Sequence, residues 1–163
     1  MTDDSIPTSG AFHRLSTGEC WQLLREQSVG RVACNVAGGP MVVPVNYVVD
    51  GDAIWVRTAS YTELAVRLPG EEVSFQIDQI DLHRQRGWSV LARGRAEHVT
   101  HEQASAPPEL LLAPPWPEGL RRTLFRIHVA RLTGRAVGER IVDVDADRGP
   151  GSIQRRAVAG DPR

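Results

Sequence analysis

The chain has 163 residues, a formal net charge of −1, 41% hydrophobic and 24% charged residues, the balance of one globular domain with a core of its own. Near-neutral charge gives no long-range pull toward nucleic acid or an anionic membrane, and no apolar stretch reaches the roughly 18–20 residues of a membrane span. The opening MTDDSIPTSG is acidic and has no hydrophobic signal core, so the expectation is a cytoplasmic protein with neither nucleic acid nor membrane as a partner.

Residues 1–14 are polar, with a proline and a glycine, and read as a flexible lead-in. Ser16-Thr17-Gly18-Glu19 is a capping box, with Leu15 and Cys20 placed for a hydrophobic staple, and predicts a helix over Thr17–Gln27. Cys20 and Cys34 read as free, buried packing residues, although the first helical turn is a place where a thiol pKa can fall. Val29–Val36 alternates and leads through Gly38-Gly39 into the segment that organises the chain, PMVVPVNYVVDGDAIWVRT (Pro40–Thr58). There Met41, Val43, Val45, Tyr47 and Val49 share one face at period two. After a turn at Asp50-Gly51, Ile54, Val56 and Thr58 alternate with Trp55 and Arg57. Alternation bounded by turn residues predicts a half-buried antiparallel hairpin.

Ser60–Leu68 predicts a short helix ended by Pro69-Gly70. Glu72–Asp78 alternates again. Past a polar bend at Asp81–Arg86, Gly87–Val99 sets Trp88, Val90, Ala92, Gly94 and Ala96 against Ser89, Leu91, Arg93, Arg95 and Glu97. Gly94 inside this strand predicts a bulge or a close approach by another group. Residues 101–120 carry five prolines around Leu110-Leu111-Leu112 and Trp116. Leu124–Leu132 is the last predicted strand, and the chain from Ala146 reads as a disordered tail. Six strands and two short helices without a parallel rhythm predict an antiparallel Greek-key barrel over residues 15–145.

All nineteen basic side chains are arginine. No side chain can form a Schiff base with a carbonyl cofactor, and a lysine-dependent phosphate loop is excluded. There is no nucleophile elbow, no cysteine pair at metal spacing, and no acidic pair for acid/base work. His98 and His101 alone among the histidines lie close together, short of the four converging ligands of a structural zinc site. No catalytic side chain and no metal ligand is assigned. Either the protein binds, or a cofactor carries its chemistry.

PMVVPVNYVVDGDAIWVRTA, VSFQID and RGWSVLARGRAEHV, in that order, with the capped helix LSTGECWQLLREQSVGRVAC before them, resemble the pyridoxamine 5′-phosphate oxidase-like, FMN-binding split-barrel family. The resemblance covers residues 15–100 and is closer to the family's small members than to the true oxidase, whose terminal arginine motifs have no counterpart in Ile141–Arg163. It implies a six-stranded split β-barrel, a homodimer with a flavin at each subunit interface, and an oxidoreductase. FMN would take hydride or electrons from a reduced nicotinamide and deliver them to a small-molecule substrate or oxygen. By the same resemblance Val43, Pro44, Val45, Asn46 and Tyr47 would run along the flavin ring and offer backbone groups to it. Arg57 and Thr58 would approach the phosphate or ribityl chain, and Thr62 would clasp the phosphate with hydroxyl and amide. Trp88 and Ser89 of the second subunit would pack on the ring and bond its polar edge.

The family's small residue and lysine after the Arg-Thr pair are replaced here by Tyr61 and Glu63. At about 4 Å and an effective dielectric near 20, Glu63 and a phosphate would repel by roughly 4 kcal/mol. Glu63 could instead pair with Arg67 at i,i+4 spacing, or Arg67 could stand in for the lysine. The alternative function is therefore a non-catalytic split barrel that has lost its phosphate clamp and holds a deazaflavin, a haem, another ligand or none. A third reading, nucleic-acid binding through Arg84, Arg86, Arg93 and Arg95 beside Trp88, is disfavoured by the overall charge.

Overall fold

The computed structural model describes residues 12–59, 62–99 and 123–138. Its elements are β1 (Phe12–Leu15), α1 (Thr17–Glu26), β2 (Val29–Val36), β3 (Gly39–Asp50), β4 (Ala53–Thr58), α2 (Glu63–Arg67), β5 (Glu72–Asp81), β6 (Arg86–Val99) and β7 (Thr123–Val137). The capping box forms as predicted: the Ser16 amide donates to Glu19 Oε2 at 2.7 Å, and the Glu19 amide donates to Ser16 Oγ at 3.2 Å. In the central hairpin Asp50 faces Ala53. The two-residue loop is therefore Gly51-Asp52, with Gly51 at φ 59°, a conformation a glycine adopts without steric cost.

β2, β3 and β4 form one antiparallel meander. The chain then crosses through α2, and β5 pairs with the far edge of β2, the return that defines a Greek key. β5, β6 and β7 form a second meander, and β7 closes against β4. The six strands β2–β7 thus make a closed antiparallel ring, the barrel that the alternation predicted, and β1 adds a seventh strand outside it. β6 and β7 are long because they bend around the ring. Their register shifts between Arg93 and Gly94, and a Cβ on Gly94 would lie 1.8 Å from the His128 carbonyl oxygen. The bulge and the close approach expected at this glycine are both present.

Inside the ring Val32, Ile54, Val56, Phe75, Ile77, Val90, Phe125 and Ile127 are almost fully buried, and each contributes roughly 1.5–3 kcal/mol through lost water contact. α1 adds Cys20 and Leu24 to the same cluster. Both cysteines are free and buried, and burial raises rather than lowers each thiol pKa, with Glu19 adding to the rise at Cys20. A smaller cluster of Ala53, Trp55, Val99 and Leu124 lies on the other face of β4.

Four boundaries differ from the sequence reading. Phe12–Leu15, whose first three residues were expected within the lead-in, is a strand. Four residues of mixed polarity carry almost no periodic signal, and the strand exists because it pairs with the end of β7. That end, Gly134–Val137, lies beyond the predicted strand Leu124–Leu132 and is paired on both sides, with β1 and β6. β5 runs on to Asp81, and α2 shrinks to five residues behind Thr62. The proline-rich stretch at 101–120 and the tail from 146 lie outside the described residues.

Candidate functional site

β3 is longer than its partner on one side. β2 pairs with Gly39–Asn46, whereas β4 pairs only with Tyr47–Asp50. Beyond Tyr47 and Val56 the two strands part, and among the described residues no strand pairs with the β4-side edge of 39–46. The Tyr47 amide donates to the Ser28 carbonyl at 3.1 Å, on the β2 side. Successive backbone groups alternate between strand edges. The N–H and C=O of Val42 and Asn46, and the C=O of Pro44, therefore point into this slot. The opposite lip is the end of β4, where half-buried Arg57 and buried Thr58 pair with Leu124 and Thr123 of β7.

The slot corrects the expectation for Val43–Tyr47 in part. Val43, Val45 and Tyr47 turn their side chains into the core and their backbone toward β2, so Pro44 and Asn46 carry the exposed polar edge. Tyr47 is a structural anchor. Its hydroxyl donates to the Leu24 carbonyl at 2.7 Å, its ring meets Phe75 edge-on at 4.7 Å, and burial pushes its phenol pKa well above the usual range.

Thr62 also differs. As N-cap of α2 its hydroxyl accepts from the Ala65 amide at 3.2 Å, donates to the Ala59 carbonyl at 2.9 Å and lies 3.1 Å from Thr58 Oγ1. Its amide donates to the same Ala59 carbonyl at 3.2 Å. Both groups expected to clasp a phosphate are engaged within the chain. Glu63 and Arg67 are exposed and form no ion pair with each other among the described residues.

Trp88 is 4% exposed within the chain and belongs to the core cluster, because residues of β6 at even positions face inward. Ser89 faces outward between Asp78 of β5 and Arg135 of β7. β2 and β5 separate it from β3, so one chain alone does not bring Ser89 to the slot. Missed were Val29 and Val42, 38% and 60% exposed, which form one outer row with the expected Pro44. The parity that sends Met41 through Val49 inward sends these residues out, and that was the available signal.

The donor set fits a planar heterocycle with an amide-like edge along β3 and an anionic group toward Arg57. Among the described residues no three metal-ligating side chains converge, and no helix there is long and apolar enough to cross a membrane.

A closed six-stranded antiparallel ring with a slot where two of its strands part, and a short helix at the slot's end, defines a split-barrel protein. Comparison with known proteins agrees. The model of the pyridoxamine 5′-phosphate oxidase family matches residues 16–136, and the chain belongs to that family. An uncharacterised protein of Mycobacterium tuberculosis is 34% identical over 125 residues, covering 74% of this chain and 82% of its own. A conserved protein of unknown function from Corynebacterium diphtheriae is 30% identical with a TM-score of 0.64, covering 77% of this chain and 98% of its own. An FAD-binding protein from Mycobacterium smegmatis is 29% identical with a TM-score of 0.60 and the same coverage.

Proposed function

We propose that this chain is a flavin-binding oxidoreductase working as a homodimer, with the isoalloxazine ring in the slot between β3 and β4 and the outer face of a second copy's β6 closing over it. The observation that carries the reading is the edge of β3 left unpaired among the described residues, which presents the amides and carbonyls of Val42 and Asn46 opposite Arg57. Further support comes from the FAD-binding M. smegmatis protein of the same fold. FMN and FAD share the ring and first phosphate, so the slot serves either; FMN is the flavin proposed. When bound, the flavin would supply hydride or electron transfer between a reduced nicotinamide and a small-molecule acceptor. The chain's own part is positional. The β3 edge would hydrogen-bond the ring, Arg57 would hold the phosphate as a rigid planar donor, and Ser89 of the second copy would reach the polar rim. The exposed row Val29, Val42 and Pro44 supplies the apolar contact for that second copy.

The test is the absorbance of purified protein before and after adding FMN or FAD, with sedimentation to give the mass. A yellow dimer that loses flavin in Arg57→Ala, and becomes monomeric in Val42→Glu, is expected. A colourless protein that takes up neither flavin sinks the reading.

The engagement of Thr62 with Ala59, and Glu63 lacking a pairing with Arg67, favour one second reading: a barrel without a phosphate clamp that holds a haem, a deazaflavin or another ligand. It predicts no flavin uptake by the natural chain and uptake by the Tyr61→Gly, Glu63→Lys double variant.

A further inference from the structure

Beside Ser89 the barrel carries a pair of arginines that no group of the chain neutralises. Ser89 of β6 stands directly opposite Arg135 of β7, and Arg135 directly opposite Arg14 of β1. Both arginines are exposed, and neither makes an ion pair among the described residues. Directly opposed side chains on one face have Cβ atoms about 4.5–5.5 Å apart, and like charges there are destabilising. Asp78 of β5 faces Ser89 from the other side, but Arg31 holds its carboxylate at 2.7 Å. The neighbouring outward rows bring no carboxylate either. Gln76, Leu91 and Thr133 form one of them. Phe12, Val137, Gly87 and Ile80 form the other, an apolar line in which Phe12 is 77% and Ile80 66% exposed.

On the flavin reading, which this inference rests on, the second copy lays this row over the slot with Ser89 at the polar rim of the ring. Strand register then brings Arg135 to the same rim, about 4.8 Å from Ser89, with Arg14 one strand beyond. The apolar line beside them excludes water when the copies meet, and charges act more strongly on one another where water is excluded. A hydride from a reduced nicotinamide carries two electrons and one proton. The nicotinamide leaves oxidised, and the ring, neutral before, keeps one negative charge. A guanidinium at the rim therefore holds the reduced ring more tightly than the oxidised one, and charge near the ring nitrogens is a lever on a flavin's electronics. The crowding of Arg135 by Arg14 is relieved only when that negative charge is present.

We propose that Arg135 of the second copy, backed by Arg14, stabilises the reduced flavin in the slot and so raises its midpoint potential. The two arginines of the site then divide the work. Arg57 holds a phosphate whose charge is the same in both oxidation states, and it sets affinity. Arg135 faces the ring, whose charge changes, and it sets the balance between the two states.

The test is the midpoint potential of the full chain loaded with FMN, measured by equilibrium with a reference dye. Arg135→Gln is expected to lower the preference for the reduced ring at least tenfold, a fall of about 30 mV for a two-electron couple. Arg131→Gln removes the same charge about 13 Å further along β7 and is expected to change that preference less than twofold, about 9 mV. In Arg135→Gln the affinities for oxidised FMN and for riboflavin are expected to stay within threefold of the natural chain. Its denaturant midpoint is expected to equal or exceed the natural one, because the repulsion from Arg14 is gone. An unchanged potential in FMN-loaded Arg135→Gln overturns the proposal and leaves the flavin reading standing. An equal fall in Arg131→Gln also overturns it, since the effect would then belong to the charge of the whole face. So does a loss of FMN without a loss of riboflavin, which would make Arg135 a phosphate ligand, or a monomeric Arg135→Gln, which would make it a contact between copies. A natural chain that takes up no flavin overturns the flavin reading and this proposal together.

Discussion

The Tyr47 hydroxyl donates a 2.7 Å hydrogen bond to the carbonyl of Leu24. Leu24 lies in the last turn of α1, where carbonyls lack partners from the helix itself, and Gln27 leaves the helix extended. One side chain of the central strand thus satisfies the end of the helix and fixes α1 against the barrel.

Tyr47→Phe removes that bond and leaves a buried carbonyl unpaired, at an expected cost of about 1–3 kcal/mol, read as a lower urea midpoint at neutral pH. The same residue predicts alkaline sensitivity. Its phenol pKa is raised in the fold, so the folded chain keeps a proton that the unfolded chain loses near pH 10. Its contribution is whole below that pH and declines as pH rises toward the folded value. Urea midpoints measured at rising alkaline pH will fall less steeply in Tyr47→Phe than in the natural chain; equal slopes would show that Tyr47 carries none of the effect.

Gly94→Ala puts a methyl group where the His128 carbonyl oxygen sits, 1.8 Å from its ideal position. Backbone on both sides prevents relief by a rotamer change, so a loss of about 3 kcal/mol or more is expected. Guanidinium denaturation measures it. A midpoint within error of the natural chain would mean that the bulge moves freely.

Glu97 accepts from Arg126 and meets His128 Nε2, both at 2.9 Å. The hydrogen bond from His128, then that from Arg126, holds its carboxyl below the usual range. A depressed carboxyl contributes stability above its unfolded pKa and loses it as pH falls through the folded value. Carbon-detected NMR titration will place Glu97 below an ordinary glutamate, and His128→Ala will move it up. An unchanged titration in that variant would assign the effect to Arg126.

On the proposed flavin reading, Thr62→Ala and Arg57→Ala separate scaffold from ligand contact. Because the Thr62 hydroxyl caps α2 and bonds Ala59, its loss is expected to cost about 1 kcal/mol of stability and change flavin affinity less than threefold. Arg57→Ala is expected to weaken flavin at least tenfold, since a charge-assisted bond contributes about 1.5–3 kcal/mol. Flavin titrations followed by fluorescence quenching give both numbers, and the reverse ranking would restore Thr62 as a phosphate ligand.

Local pattern alone fixed the strands, the capped helix and the alternation of their faces. Period-two alternation at Met41–Val49 and Trp88–Ala96, and the Ser16–Glu19 box, are local patterns that one buried side and one free amide impose on any chain. It could not determine which residues meet. That Trp88 and Ser89 lie on opposite faces was present in the parity, but which of the two turned into the core depended on ring closure. That β3 outruns β4 and opens a slot depends on two pairing lengths, and that Thr62 serves Ala59 depends on the path of a turn. Arg14 stands opposite Arg135 across β1 and β7, and Arg93 opposite Arg131 across β6 and β7, although the partners are about 120 and about 40 positions apart in the chain. Only strand pairing sets them side by side, because register converts distance along a sequence into contact across a sheet.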